Sequence, residues 1–518
     1  MKKKQELSIS LSELLYLCFV CIMLFVKGIG LYDGQLLYKL FFAGSIGLLF
    51  VKMLITKHSI KEWIVIVLIG LLTIIVYLNS REKGVLICSL TVLSMKDVSV
   101  EKVMKTGLWT WGITMGGNVL YHLLNLSASG YKVHEKLGLG HIFRWDLGFS
   151  HPNVLHISYL VLCGFVVYNL DKKYNWKYAL LLMIGNLFVF IYSVSYTGIM
   201  VVTLYLGLAW YMNTREKMSK CEYILLELIF PVCLLLSLLS PILLPENVFN
   251  IVNKIFSNRL VLAKYYLISD NLKFFGNNLG KITTHILTMD NAYVFSLIIY
   301  GVLFFIVLVS GYFMLIRLCV KTGKNKELAV IVCFLIGGIT EPFLFNTSFK
   351  NITLFFLGVA LFSKKDMARV KEVGLIPKLN KDIVLNCTNV YVIVGNIAKS
   401  FKENKKRILL FAVSMGIIAS IWFGANREMP EGYIVPRIYV DIESDETWYI
   451  TSKEASEYQE LQILDYKDGE TKMQILKGNI VMVEYFRGII SVFCVTVVLS
   501  GVITAVGLSS KYFKKYRD

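Results

Sequence analysis

Acidic side chains are scarce in this chain of 518 residues: 36 Asp and Glu stand against 54 Lys and Arg, a net charge of +18. Charged residues of both signs make up only 17%, while 56% are hydrophobic. One large soluble core is excluded, because beyond about 300 residues such chains divide into domains whose surfaces stay mostly polar. In a soluble protein the basic excess would point to nucleic acid. Here cytoplasmic loops collect Lys and Arg for topological reasons alone, so no nucleic-acid partner is expected. Cysteine is absent where a disulfide would need it. Cys18, Cys21, Cys88, Cys163, Cys221, Cys233, Cys319, Cys333, Cys387 and Cys494 all fall in apolar runs or on the expected cytoplasmic side, which leaves outer loops without a partner. Cys18 and Cys21 form a CxxC inside an apolar helix with no His or acidic neighbour, which reads as packing. No internal repeat is visible. The first apolar run lacks a small-residue cleavage site, so it reads as a retained helix and not a signal peptide.

What the chain has in abundance is apolar runs of membrane-spanning length, roughly 20 residues each. They lie near 9–28, 36–55, 62–79, 84–95, 106–126, 152–170, 178–194, 197–213, 223–243, 291–316, 328–345 and 351–363, with two more near 408–425 and 488–508. The pattern predicts an all-α polytopic protein with about 12 helices in its core (1–363), a basic linker (364–407) and a two-span module (408–518). With Met1-Lys2-Lys3-Lys4 inside, basic residues alternate with the runs, which places both termini in the cytoplasm of a multi-pass cell-membrane protein. The run at 84–95 is short enough to be re-entrant.

Two outer loops are long and carry cations where the positive-inside bias would remove them. The first, 127–151, ends in Phe143-Arg144-Trp145-Asp146-Leu147-Gly148-Phe149-Ser150-His151-Pro152-Asn153. The second, 244–290, holds Asn258-Arg259-Leu260 and Phe275-Gly276, then Asp290-Asn291-Ala292-Tyr293 where the next helix begins. A charged group at a helix mouth in a membrane protein is costly enough to mark a site. An interfacial Arg that snorkels to lipid phosphates is the plain alternative.

The Arg-x-Asp-x-Gly-Phe-x-His-Pro-Asn string at 144–153 resembles the signature loop of Wzy-like polysaccharide polymerases of Gram-positive bacteria, within the O-antigen ligase superfamily. Asn258-Arg259-Leu260, Phe275-Gly276, Asp290 to Tyr293, Tyr300-Gly301, Glu341 and Asn346 follow in that family's order, so the likeness covers residues 1 to about 363. Related ligases carry His where this chain has Asp290, a departure that favours polymerase over ligase. The resemblance implies a GT-C-like core that transfers a growing glycan from undecaprenyl diphosphate to a sugar hydroxyl of another lipid-linked repeat unit, for a capsule or exopolysaccharide. Its implied partners are the undecaprenyl-diphosphate-linked oligosaccharide, the bilayer and other assembly proteins such as a flippase or a chain-length regulator.

The chemistry selects residues within that set. The leaving lipid diphosphate gathers negative charge, which suits the fixed donor forks of Arg144 and Arg259. The acceptor hydroxyl must lose a proton, so a base is required. Asp290 leads as that base, with helix capping as its structural alternative. His151 is second and precedes Pro152, where it can equally serve the helix N-terminus. Glu341 is a further catalytic candidate, and Asn153, Tyr293 and Asn346 are candidates for substrate binding. The loops hold no DxD pair, and a diphosphate donor already carries a good leaving group, so neither metal nor cofactor is expected. A ligase with a different acceptor, and a transporter or flippase for the same lipid-linked sugars, are the rival readings.

The linker at 364–407 reads as short amphipathic helices on an anionic membrane surface. Between the last two spans, 426–487 alternates in strand fashion at 434–442 and 461–475, with Asp468-Gly469 as a hairpin turn. It reads as a small outer β-containing docking module, with Asp441, Glu443, Asp445 and Glu446 on a solvated face.

Overall fold

The computed structural model describes residues 6–136, 140–215, 217–256, 259–268, 271–282, 289–363, 372–386, 388–436, 464–466, 469–471, 473–476 and 478–514. The fold is mostly helical. The first half holds α1 (Leu11–Gly28), α2 (Leu36–Ile55), α3 (Ile60–Ser80), α4 (Gly84–Leu93), α5 (Val100–Leu124), α6 (Pro152–Leu170), α7 (Trp176–Ser193), α8 (Tyr196–Thr214) and α9 (Lys220–Leu238). Then come α10 (Ser240–Leu243), α11 (Glu246–Ile255), α12 (Arg259–Ile268), α13 (Leu279–Ile282), α14 (Ala292–Thr322), α15 (Asn325–Gly337) and α16 (Thr353–Leu361). Two long helices, α17 (Thr388–Asn426) and α18 (Asn479–Lys514), complete the chain and pack along each other.

Among the described residues, nine helices are long and apolar enough to cross a membrane: α1, α2, α3, α7, α9, α14, Pro152–Lys173, Lys399–Asn426 within α17 and Asn479–Leu508 within α18. Eighteen residues of helix cover about 27 Å, close to the roughly 30 Å hydrocarbon layer. On α3, Ile64, Val67, Leu68, Leu71, Ile74 and Leu78 all point outward from the protein, a stripe that only an apolar surrounding accommodates. The protein is therefore a multi-pass membrane protein. Local sequence sets the helix starts. Ser10 Oγ accepts the Glu13 N–H at the head of α1, and Ser59 with Glu62 and Ser219 with Glu222 close capping boxes on α3 and α9.

The other apolar runs form shorter or less apolar helices. Run 84–95 contains only the ten residues of α4, and Lys96 just beyond it bonds Glu62 at the head of α3, 2.5 Å away, so the chain returns beside the start of α3. The runs at 328–345 and 351–363 differ more from expectation. Helix α15 stops at Gly337, α16 has nine residues, and 338–352 between them carries only a single 3-10 turn at Pro342–Leu344. Gly337, Gly338 and Pro342 end the helix, which releases Glu341, Asn346 and Lys350 into a loop.

A second interruption lies in α14 at Gly301, whose φ is 83°. The helix there lacks its own acceptors, and the loop before it supplies them: Val302 N–H donates to Lys273 O at 3.0 Å and Leu303 N–H to Phe274 O at 3.2 Å, while Ile299 O accepts from Asn277 N–H. A Cβ on Gly301 would stand 2.3 Å from Gly276 N, and one on Gly276 2.1 Å from Ile299 O. Two glycines far apart in sequence thus let two backbones touch where a broken helix must have its polar groups satisfied.

Beyond 371 the linker carries strands. β1 (Glu6–Ser10) pairs antiparallel with β6 (Asp382–Asn386), and β2 (His58–Ser59) with β5 (Glu372–Val373). Lys96 Nζ also bonds Glu372 at 3.0 Å. Residues 372–386 thus carry two short strands, with a 3-10 turn at Pro377–Leu379 between them, paired with segments near the N-terminus, and helix continues from Thr388 into the next apolar stretch without a break at 407. Between α17 and α18, β7 (Tyr433–Pro436) pairs with β10 (Met473–Leu476) and β8 (Leu464–Tyr466) with β9 (Gly469–Thr471). Asp441, Glu443, Asp445 and Glu446 lie outside the described residues.

Candidate active site

The loop 127–151 is a β-ribbon. β3 (Tyr131–Lys136) pairs antiparallel with β4 (Gly140–Trp145), and Lys132 stands opposite Arg144. Successive strand residues point to opposite faces, so Phe143 and Trp145 bury themselves on one side while Arg144 faces the other. The chain then turns sharply. Leu147 and Gly148 both take positive φ, 45° and 85°, and Asp146 Oδ1 accepts the Gly148 N–H at 3.0 Å and the Ser129 hydroxyl at 3.3 Å. A Cβ on Gly148 would meet the His122 ring at 2.2 Å. In the string Arg-x-Asp-x-Gly, Asp146 and Gly148 therefore build the turn that presents the arginine. Burial pushes the Asp146 carboxyl up to about 6.

His151 ends the turn as the N-cap of α6. Its Nδ1 accepts the Asn153 N–H at 3.1 Å, with Pro152 in the first helical turn. Burial, and then the charge of Arg144, lower its pKa to about 3. The ring is neutral, its Nδ1 lone pair is used, and its remaining nitrogen carries the proton. In this arrangement Nδ1 is engaged with the Asn153 N–H and is not turned free toward a substrate.

From Arg144 a continuous polar line crosses to the second loop. Arg144 Nε donates to Ser193 O at 2.9 Å at the end of α7, and Nη2 donates to Asn153 Oδ1. Asn153 Nδ2 donates to Glu341 Oε1 at 2.8 Å, and the same oxygen accepts from Arg259 Nη2 at 3.0 Å. Arg259 Nε lies 3.5 Å from Asp290 Oδ2. Side-chain exposure rises along this line, from 10% at Glu341 and 12% at Arg259 to 31% at Asp290, which is the most open of the three. Burial raises the Glu341 carboxyl to about 7 against the pull of Arg259. Burial also lowers Arg144 to about 10, which leaves it cationic near neutrality.

Asp290 does not cap α14. Asn291 does, its Oδ1 accepting from the N–H groups of Tyr293 and Val294. Tyr293 is 1% exposed and donates to Leu335 O at 2.6 Å, so it packs the core and does not line the cavity. Asn346 lines it, with its own Oδ1 accepting the Ser348 N–H.

Arg144, His151, Asn153, Arg259, Asp290, Glu341 and Asn346 border one cavity of about 750 Å³. No family model, curated protein or solved structure matches the chain. The cavity also holds residues that sequence reasoning missed. Lys350 is buried, lines the cavity and, among the described residues, has no carboxylate at ion-pair distance; the Phe149 ring lies 5.6 Å from its Nζ. Burial, then Lys27, lowers its pKa to about 7. Lys132 and His134 of β3 add to the rim. The sequence held one signal for Lys350, a lone cation between two apolar runs. The cavity thus combines three buried or half-buried cations with two carboxylates, an arrangement suited to holding an anion beside a proton acceptor.

Proposed function

We propose that this protein is a membrane glycosyltransferase, a polysaccharide polymerase that moves a growing glycan from undecaprenyl diphosphate to a hydroxyl of a second lipid-linked repeat unit. In this reading the cavity opens at the outer face of the cell membrane and both termini are cytoplasmic. The observation that carries it is the Arg144–Asn153–Glu341–Arg259–Asp290 line along one cavity. Two guanidinium groups come from separate loops: Arg144 is held by the neutral Ser193 carbonyl and Asn153 amide and so keeps its charge to offer an anion, while Arg259 is oriented between Glu341 and Asp290.

The acceptor hydroxyl attacks the anomeric carbon as Asp290 takes its proton, and the bond from that carbon to the diphosphate oxygen breaks. The electron pair leaves with the lipid diphosphate, whose growing charge meets Arg144, Arg259 and Lys350. Asp290 suits the base role because it is the most open carboxylate of the line and has no capping duty. Glu341 serves chiefly to hold Arg259 and, through Asn153, Arg144 in one arrangement.

The decisive experiment supplies the purified protein with undecaprenyl-diphosphate-linked repeat units and resolves the products by length. A ladder of growing chains is expected. Transfer of preformed glycan only to a different acceptor would mean a ligase. Movement of the lipid-linked sugar across proteoliposomes without any new glycosidic bond would mean a transporter.

A further inference from the structure

We infer that α18 is part of the machinery of the cavity: the Glu484–Arg487 pair clamps β4 and the end of α7 and so positions Arg144. This rests on the reading of Arg144 proposed above. Arg487 is 1% exposed although it sits on a helix that otherwise faces outward along much of its length. Its Nε donates to Ile191 O at 2.8 Å and its Nη1 to Phe143 O at 2.8 Å, while Glu484 Oε1 pairs with the same Nη1. The other Glu484 oxygen accepts from Trp145 Nε1 at 2.9 Å. Tyr192 adds a bond to Arg487 O at 3.1 Å and another to Ser491.

These contacts bracket Arg144 on both sides in sequence and share its seat. Phe143 and Trp145, its immediate neighbours in β4, are both held by the pair, one through its backbone and one through its side chain. The last carbonyls of α7 have no helical partner. Two of them, Ile191 O and Ser193 O, accept guanidinium donors from Arg487 and Arg144 respectively. The helix end turns away at Val194, whose φ is 41°, a conformation a β-branched residue takes only under constraint from its surroundings. An apolar contact would join α18 to the ribbon at less desolvation cost than a buried ion pair. What the fork adds is direction, since its donors are fixed in one plane and hold two backbone carbonyls in register.

Arg487 and Glu484 are thus positioning residues, and the test must read Arg144 itself. In the full-length protein in nanodiscs, Arg487→Lys and Glu484→Gln should raise amide exchange over 140–145 and phenylglyoxal labelling of Arg144 by about 10- to 100-fold, the equilibrium worth of one or two charge-assisted hydrogen bonds. Exchange in α6 and α8 should stay at the wild-type level. Both readings are independent of catalysis, so a wild type without polymerase activity would sink the functional reading and leave the clamp to be judged on them alone. Where polymerisation is measured, kcat should fall about 10²-fold, as for a small misplacement of a catalytic group. Arg487→Lys combined with Arg144→Lys should be no worse than Arg144→Lys alone. Unchanged exchange and labelling would refute the clamp. Multiplying effects in the double variant would show that Arg487 supports the fold generally and not Arg144.

Discussion

Glu341→Gln should make the protein more stable above neutral pH. Folding raises the Glu341 carboxyl from the ordinary 4.5 to about 7, an interval that corresponds to about 3 kcal/mol. The sign follows from the direction. A carboxyl that binds its proton more tightly when folded favours folding fully below about pH 4.5, and that contribution is lost as pH rises through 7. Two effects oppose each other in the variant. Removing a buried carboxylate relieves its desolvation, whereas Arg259 loses a partner. The second effect is limited because Asp290 still stands 3.5 Å from Arg259 Nε, and the Gln amide oxygen can still accept a hydrogen bond. Thermal unfolding of the full-length protein, followed by tryptophan fluorescence, should show matching curves for variant and wild type at pH 4.5 and a higher midpoint for the variant at pH 8. Polymerisation measured on the same samples should fall at pH 8, since the charge that gathers both arginines is gone. A variant less stable than wild type at pH 8 would refute the reasoning, because ion pairing would then outweigh desolvation.

Arg144→Lys and Arg259→Lys keep charge but lose the fork, and each should cut polymerisation about 10²-fold at normal expression; wild-type chain growth in both would reduce them to interfacial anchors. Asp290→Asn should lower the rate by about 10²- to 10⁴-fold while leaving the fold intact, since Asn291 performs the capping. His151→Gln is the comparison, expected to retain most activity because the ring nitrogen serves a backbone N–H; the reverse ranking would return the base to His151. Lys350→Met should raise KM for the lipid-linked donor by about tenfold or more, the loss of one charge-assisted contact. In the wild type, donor affinity should decline as pH rises beyond 7 and Lys350 sheds its proton, whereas the variant should be flat; parallel pH profiles would exclude Lys350 from donor binding.

The apolar runs are determined within a few residues of chain, which is why the sequence alone reveals them; the caps at Ser10, Ser59 and Ser219 and the turn at Asp146 to Gly148 are just as local, though they came to light in the structure. The order of the polar residues at helix mouths is equally plain, and Arg144, Asn153, Arg259, Glu341 and Asp290 do converge. Which of them touch was a matter of tertiary structure. Asn153 and Glu341 lie 188 positions apart, and Arg259 and Glu341 lie 82 apart. Asp290 and Asn291 are equally good caps by type. Only the packing of α12 against α14 brings Arg259 to Asp290 and leaves capping to Asn291. Tyr293 was turned inward by the rotational phase of α14, a property of neighbours that local sequence does not encode. The breaks at Gly301 and after Gly337 depended on the loop that satisfies the first and the cavity that receives the second. Arg487 reads in sequence as one cation near a membrane end. Its role arises because α18 packs against a ribbon more than 300 positions earlier in the chain, where the Ile191 carbonyl at the end of α7 accepts its Nε.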